Sequence, residues 1–150
     1  MKKIISSFSN LSTEQIYDAM KLRQDVFVIE QNCIYNDFDG YDKKAMHFLI
    51  YKDDMLAAYS RIFAPNIKYQ NESSIGRILV SKSHRGGTLG KLLIKESIEY
   101  CIKQFPDSVI RIEAQAALEK YYSDLGFLSD SEVYAVDDIP HLQMIYNPKN

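Results

Sequence analysis

Tryptophan is absent, cysteine is limited to two residues, and no apolar run approaches the length of a membrane span. Two thiols, Cys33 and Cys101, give no disulfide framework and suit a reducing compartment. A helical span would need about 20 consecutive apolar residues, so no membrane association is expected. The N-terminus carries no signal-peptide pattern, and the expected location is cytoplasmic. Strong charge of either sign is also lacking. Eighteen Lys and Arg against 20 Asp and Glu leave a net charge of −2, without the basic stripe that marks a nucleic-acid binder. The three histidines have no metal-ligand spacing, so no metal is expected. Repeats, linkers and low-complexity segments are missing as well. What is present is 150 residues, 46% hydrophobic and 25% charged, which suits one globular domain over 1–150 with a sizeable core.

The patterns read as mixed α and β. Lys3 to Ser7 is a short opening strand. Ser12-Thr-Glu-Gln15 is a capping box, which predicts a helix carrying Ile16, Met20, Leu22 and Arg23 toward Phe27. Met46 to Lys52 and Met55 to Phe63 are β-rich, with a hairpin turn at Lys52-Asp53-Asp54. Ser74 to Ser81 is the next strand. Leu89 to Gln104 is the main helix, with apolar residues at steps of three and four, and Pro106 stops it. Val109 to Ala114 reads as a strand and Ala116 to Leu125 as a helix ended by Gly126. Phe127 to Ala135 and His141 to Tyr146 close the chain as strands.

Between strand and main helix lies Arg85-Gly86-Gly87-Thr88-Leu89-Gly90-Lys91. A strand, a glycine-rich turn and a helix in that order gather backbone N–H groups and the positive end of a helix dipole at one point, which suits a phosphate. The spacing excludes two common phosphate motifs. Gly86 to Gly90 encloses three residues where a P-loop needs four, and the glycines do not fit a dinucleotide fingerprint. The turn instead resembles the Arg-x-x-Gly-x-Gly turn of the GNAT superfamily of acyl-CoA transferases, with Thr88 where that family usually has its first glycine. Further blocks resemble the ElaA-like branch of that superfamily: Leu22-Arg23-x-x-Val26-Phe27 through Gly40, Ile75-Gly76-Arg77, Ala114-Gln115-Ala116-x-Leu118, Tyr121-Tyr122-x-x-Leu125-Gly126-Phe127, and Glu132-Val133-Tyr134 through Met144.

The resemblance implies an α+β fold with a central mixed, mostly antiparallel sheet. Its fourth and fifth strands splay apart, and acetyl-CoA lies in the opening as acyl donor. It further implies N-acetyl transfer to an amine, on a small molecule or a protein; direct attack in a ternary complex is expected because no Cys sits with an evident His partner. Arg85, Gly86, Gly87, Thr88, Leu89, Gly90 and Lys91 would then hold the pyrophosphate. Ile78, Leu79 and Val80 would pair with the pantetheine arm, a backbone N–H near Val80 would meet the oxyanion, and Gln115 would add a polar contact. Tyr122 matches the family's general acid. A β-branched residue tolerates positive φ poorly, so Gly87 is expected to take the left-handed conformation in place of Thr88.

The general base is open among Glu30, His47 and His141. Glu113 is disfavoured, because strand alternation sets it opposite Ile112 and Ala114. The Asn36–Asp42 loop lacks the ligand spacing of a calcium loop and reads as a turn of solvated carboxylates. Glu30, Asp37 and Asp39 would give the acceptor pocket negative charge that attracts a cationic amine, with Arg77 beside them. Two other readings stand beside the acetyltransferase. Leu22-Arg23-x-x-Val26-Phe27 also resembles the acyl-homoserine-lactone synthases, which use S-adenosylmethionine, and a non-catalytic acyl-CoA sensor would keep the fold without turnover. Exposed strand edges make a homodimer plausible.

Overall fold

The capping box forms as its residues predict: Ser12 Oγ accepts from the Gln15 N–H at 3.1 Å and Gln15 Oε1 from the Ser12 N–H at 2.9 Å. In the computed structural model, which describes residues 1–149, helix α1 (Thr13–Arg23) starts there. The helix does not end at Arg23. Its backbone widens into a π-helical segment over Gln24–Glu30, where the amides of Gln31 and Cys33 reach back five residues to Val26 and Val28.

The strands are β1 (Lys2–Ser7), β2 (Met46–Lys52), β3 (Met55–Phe63), β4 (Ser73–Val80), β5 (Ile110–Gln115), β6 (Leu128–Ser129), β7 (Tyr134–Val136) and β8 (Ile139–Tyr146). They form one sheet in the order β1-β2-β3-β4-β5-β8-β6, with β7 also on β8. Every pairing is antiparallel except β4 with β5. Asp53 and Asp54, at φ 50° and 60°, make the β2–β3 turn, and two successive left-handed residues match the twist of a tight hairpin.

Helix α2 (Leu89–Gln104) has the bounds its periodicity predicts. It lays Leu93, Ile94, Ile98 and Cys101 on one face of the sheet against Phe48, Ile50, Ile62 and Ile110. The other face carries α1 and the π-helical segment, with Leu49, Tyr59 and Leu79 against Ala19 and Val26. Both faces of β2 are therefore covered, which is why its residues read as a continuous apolar run rather than an alternation. Two expected elements are divided. The Ala116–Leu125 helix is a 3₁₀ turn (Ala116–Leu118) followed by α3 (Glu119–Ser123), and the long Phe127–Ala135 strand is the short pair β6 and β7.

Gly126 sits at φ 104°, and a Cβ there would lie 2.9 Å from the Tyr146 ring. Gly126→Ala is expected to cost about 1–3 kcal/mol, from backbone strain and the displaced ring. Urea unfolding checks this; an unchanged midpoint would mean that the ring moves aside freely.

Candidate active site

Strand β4 runs beside β5 for only two residue pairs, Ser73 with Ile110 and Ser74 with Arg111. Beyond Ser74 the strands part. The cause lies within β4: its register against β3 shifts from Arg61–Gly76 to Tyr59–Leu79, so Arg77 and Ile78 together face Ser60. Arg77 takes φ 49° in this bulge. An extra residue bends a strand and ends its pairing on the far side. The result is a cleft of ≈ 630 Å³ between β4 and β5, walled at one end by the π-helical segment and at the other by the β7–β8 turn.

The β4 edge facing the cleft offers unpaired backbone. The Ser81 N–H donates to the Ala57 carbonyl on the β3 side at 2.8 Å. Strand alternation therefore turns the Val80 peptide toward the cleft. Its carbonyl accepts Arg85 Nε at 2.9 Å, and its N–H is directed into the opening. Arg85 reaches across the cleft mouth to Glu30, with bonds of 2.7 and 3.0 Å. Gly86 is left-handed at φ 91°, and Thr88 at φ −105° is the residue before α2. Thr88 gives no side-chain cap to the first turn of α2, so those backbone N–H groups keep their donors for another acceptor.

On the β5 side, Tyr122 is buried, with T-shaped packing on Tyr121 (5.6 Å between ring centres) and Phe127 (5.9 Å). Its ring lines the cleft. Burial, reinforced by Tyr121, pushes its phenol well above the ordinary value, so it is protonated at neutral pH. His141 pairs across the β5–β8 ladder with Gln115, and both line the cleft. The Ile139 carbonyl at 2.7 Å can only accept, so His141 Nδ1 carries the hydrogen and neutral His141 keeps its Nε2 lone pair. Gln115 Nε2 spans to Gln31 Oε1 at 3.3 Å, tying β5 to the π-helical segment.

Beneath this cleft lies a block of three arginines and three aspartates. Fully buried Arg23 donates to Asp37 Oδ2 (2.9 Å), the Asp37 carbonyl (3.0 Å) and Asp42 (2.6 Å). Arg61 bonds Asp39 and, at 3.1 Å, Asp42; Arg77 Nε lies 2.7 Å from Asp37. Burial alone would raise the carboxyls of Asp39 and Asp42, but the arginine bonds outweigh it and hold both below the usual carboxylate range.

The comparisons with known proteins agree with this geometry. Residues 10–147 match the family model described as the acetyltransferase (GNAT) domain. This chain belongs to the GNAT acetyltransferase family. Protein ElaA of Escherichia coli is 41% identical over 138 residues, 91% of this chain and 90% of ElaA, and the crystal structure of that protein superposes with a TM-score of 0.91. An acyl-CoA N-acyltransferase from Pseudomonas aeruginosa also superposes at 0.91, with 32% identity over 97% of this chain and 99% of its own. The CoA-dependent acyl-homoserine lactone synthase BjaI, at 16% identity and a TM-score of 0.76, shares the fold alone. The splayed sheet is thus a GNAT sheet, in a family whose members draw on acyl-CoA.

The GNAT cleft gathers ten of the expected site residues: Glu30, Asp39, Arg77, Ile78, Leu79, Val80, Arg85, Gln115, Tyr122 and His141. Gly86, Gly87, Thr88, Leu89, Gly90 and Lys91 follow Arg85 in the turn and the first turn of α2. Four expectations are corrected. Gly86 rather than Gly87 is left-handed, because the turn reverses directly after the extended Arg85 and leaves Thr88 at ordinary φ. His47 lies fully buried outside the cleft, where its Nε2–H donates to the Asp42 carbonyl (2.8 Å) and its Nδ1 accepts the Tyr59 hydroxyl (2.6 Å). Burial lowers its pKa and keeps the ring neutral. Asp37 is buried against Arg23 and Arg77 and does not line the cleft, Asp39 lines it with its charge matched by Arg61, and the Asn36–Asp42 loop is not a turn of solvated carboxylates. Glu113 does line the cleft, where its carboxylate accepts the Tyr134 hydroxyl at 2.7 Å.

Lys68, Tyr35, Cys33 and Asp137 also line the cleft and were not anticipated. One signal was available for the arginine block. Arg61 stands inside the apolar run Ala57–Phe63, and a charge in a buried strand requires a buried counter-charge.

Proposed function

We propose that this protein is an N-acetyltransferase moving acetyl from acetyl-CoA to a primary amine by direct attack in a ternary complex. The observation that carries this is the parting of β4 from β5 after Ser74, which leaves Ile78–Val80 with a free backbone edge opposite Tyr122 and His141. Each requirement of acyl transfer finds a group on that cleft. Pyrophosphate suits the uncapped first turn of α2 and the reversed Gly86 turn, with Arg85, Gly87, Thr88, Leu89, Gly90 and Lys91 around it. Ile78, Leu79 and Val80 receive the pantetheine amides as a sheet edge receives a strand, and Gln115 adds a polar contact.

Nε2 of His141 takes the proton from the attacking amine. The Val80 N–H stabilises the carbonyl oxygen as it gains charge. As the C–N bond forms and the C–S bond breaks, Tyr122 gives its proton to the departing sulfur. Glu30 is held by both Arg85 nitrogens, and its role is to fix that arginine rather than to act as base.

Calorimetry with acetyl-CoA, free CoA and S-adenosylmethionine tests the reading. Micromolar affinity for both CoA species and none for S-adenosylmethionine is expected. Absence of CoA binding would overturn it, and binding of S-adenosylmethionine would favour the lactone-synthase reading.

A further inference from the structure

The charge on the cleft is divided between its walls. The block of Arg23, Arg61 and Arg77 against Asp37, Asp39 and Asp42 balances sign for sign, so its aspartates leave no surplus negative charge for the acceptor. Lys68 remains outside that balance. Its ammonium lies 4.3 Å from the Tyr41 ring centre and 6.0 Å from that of Phe63, and among the described residues it has no carboxylate partner. Burial and then Arg61 lower its pKa, outweighing the opposite pull of Asp39 and Glu113. Arg77, beside it on the cleft, keeps 22% of its side chain exposed, and its Nη1 has no acceptor among the described residues. The opposite wall carries the other sign: Glu113 on β5 and Asp137 in the β7–β8 turn, next to His141. Lys68, outside the ion-pair block, and the partly exposed edge of Arg77 thus share one opening with Glu113 and Asp137.

Building on the acetyltransferase reading, we infer that the acceptor is a small amino acid, a zwitterion bearing both the reacting amine and a carboxylate. The carboxylate is bound by Lys68 and Arg77, and the amine lies toward Glu113, Asp137 and His141. A diamine or polyamine would set a second cation against Lys68, and like charges at close range in a partly desolvated site oppose binding. An N-acetyl amino acid is the product. The reaction balances without any co-reactant: the ammonium gives one proton to His141 before attack, Tyr122 protonates the departing sulfur, and the second nitrogen proton, lost as the amide forms, restores the Tyr122 phenol.

The test pairs amino acids with their decarboxylated amines of identical side chain, lysine with cadaverine and tyrosine with tyramine among them. Binding to the CoA-saturated protein is read by ligand-observed NMR, and turnover with acetyl-CoA is read by thiol release and product mass. Amino acids are expected to bind and react in preference to their amines. Lys68→Met is expected to raise their KM on the order of tenfold with little change in kcat, and Lys68→Glu to shift preference toward the amines. Lys103→Met, which removes the same charge from an exposed position on α2, should leave the preference intact. Thermal melting confirms that each variant folds. If amines bind as well as amino acids, or Lys68→Met changes nothing, the inference fails while the acetyltransferase reading stands. If acetyl-CoA itself does not bind, that reading fails and takes the inference with it.

Discussion

Replacing Arg23 by methionine is expected to cost about 3–5 kcal/mol of stability. The side chain is fully buried and bonds four acceptor atoms of Asp37 and Asp42, and its guanidinium lies 5.8 Å from the Tyr59 ring centre. Methionine fills much of the volume but leaves Asp37, only 7% exposed, and Asp42 short of positive charge in a site that water does not reach freely. The loss is the desolvation penalty of those carboxylates rather than the energy of one ion pair. Arg23→Lys keeps the charge but cannot reach all four acceptors at once, so it is expected to fall between methionine and wild type. Chemical denaturation gives the comparison. A methionine variant within about 1 kcal/mol of wild type would show that Arg61 and Arg77 can neutralise the block alone.

The same block sets the response to acid. Asp39 and Asp42 are held below their ordinary values in the folded protein, so the unfolded chain binds protons at a pH where the native carboxylates still do not. Their contribution is complete above an unfolded pKa of about 4 and is lost as pH falls below it, toward the lower folded values. Stability should therefore decline below about pH 4, and the decline should be shallower in Asp39→Asn.

How much of this was legible in the chain depended on whether the signal was local. The capping box at Ser12, the Asp53–Asp54 hairpin and the bounds of α2 each depend on residues within a few positions of one another, and each forms as its pattern predicts. The acidic loop failed for the opposite reason. Asp37 and Asp39 look solvated in sequence because Arg23, Arg61 and Arg77 lie 14 to 40 residues away. The β4 bulge is a fact of pairing, and nothing in Gly76-Arg77-Ile78 alone announces the register shift that opens the cleft. The π-helical segment is similar, since a bond reaching five residues back rather than four leaves no residue signature. Thr88 points to its neighbour Gly87 as the left-handed residue, whereas the direction of the chain after Arg85 puts Gly86 there.

Tyr122→Phe is expected to lower kcat on the order of 100-fold, at the lower end of what a positioned proton donor contributes, with acetyl-CoA affinity and melting temperature close to wild type. The ring packs between Tyr121 and Phe127, and phenylalanine preserves both contacts, so only the hydroxyl is removed. Burial raises the phenol above its ordinary value of about 10, which would make it a poor acid toward a thiolate in water. Inside the cleft the same desolvation destabilises the departing thiolate and raises its basicity, so the transfer is better matched than solution values suggest. The alkaline limb of the pH–rate profile should accordingly not reflect Tyr122 below pH 10. Tyr121→Phe supplies the control, because its hydroxyl faces α2, where a side chain added at Gly90 would meet it at 2.9 Å. An equal loss of kcat in both variants would make the pair a packing unit. A Tyr122→Phe enzyme within about threefold of wild type would mean that solvent protonates the leaving thiolate, and the acid would have to be sought elsewhere on the cleft.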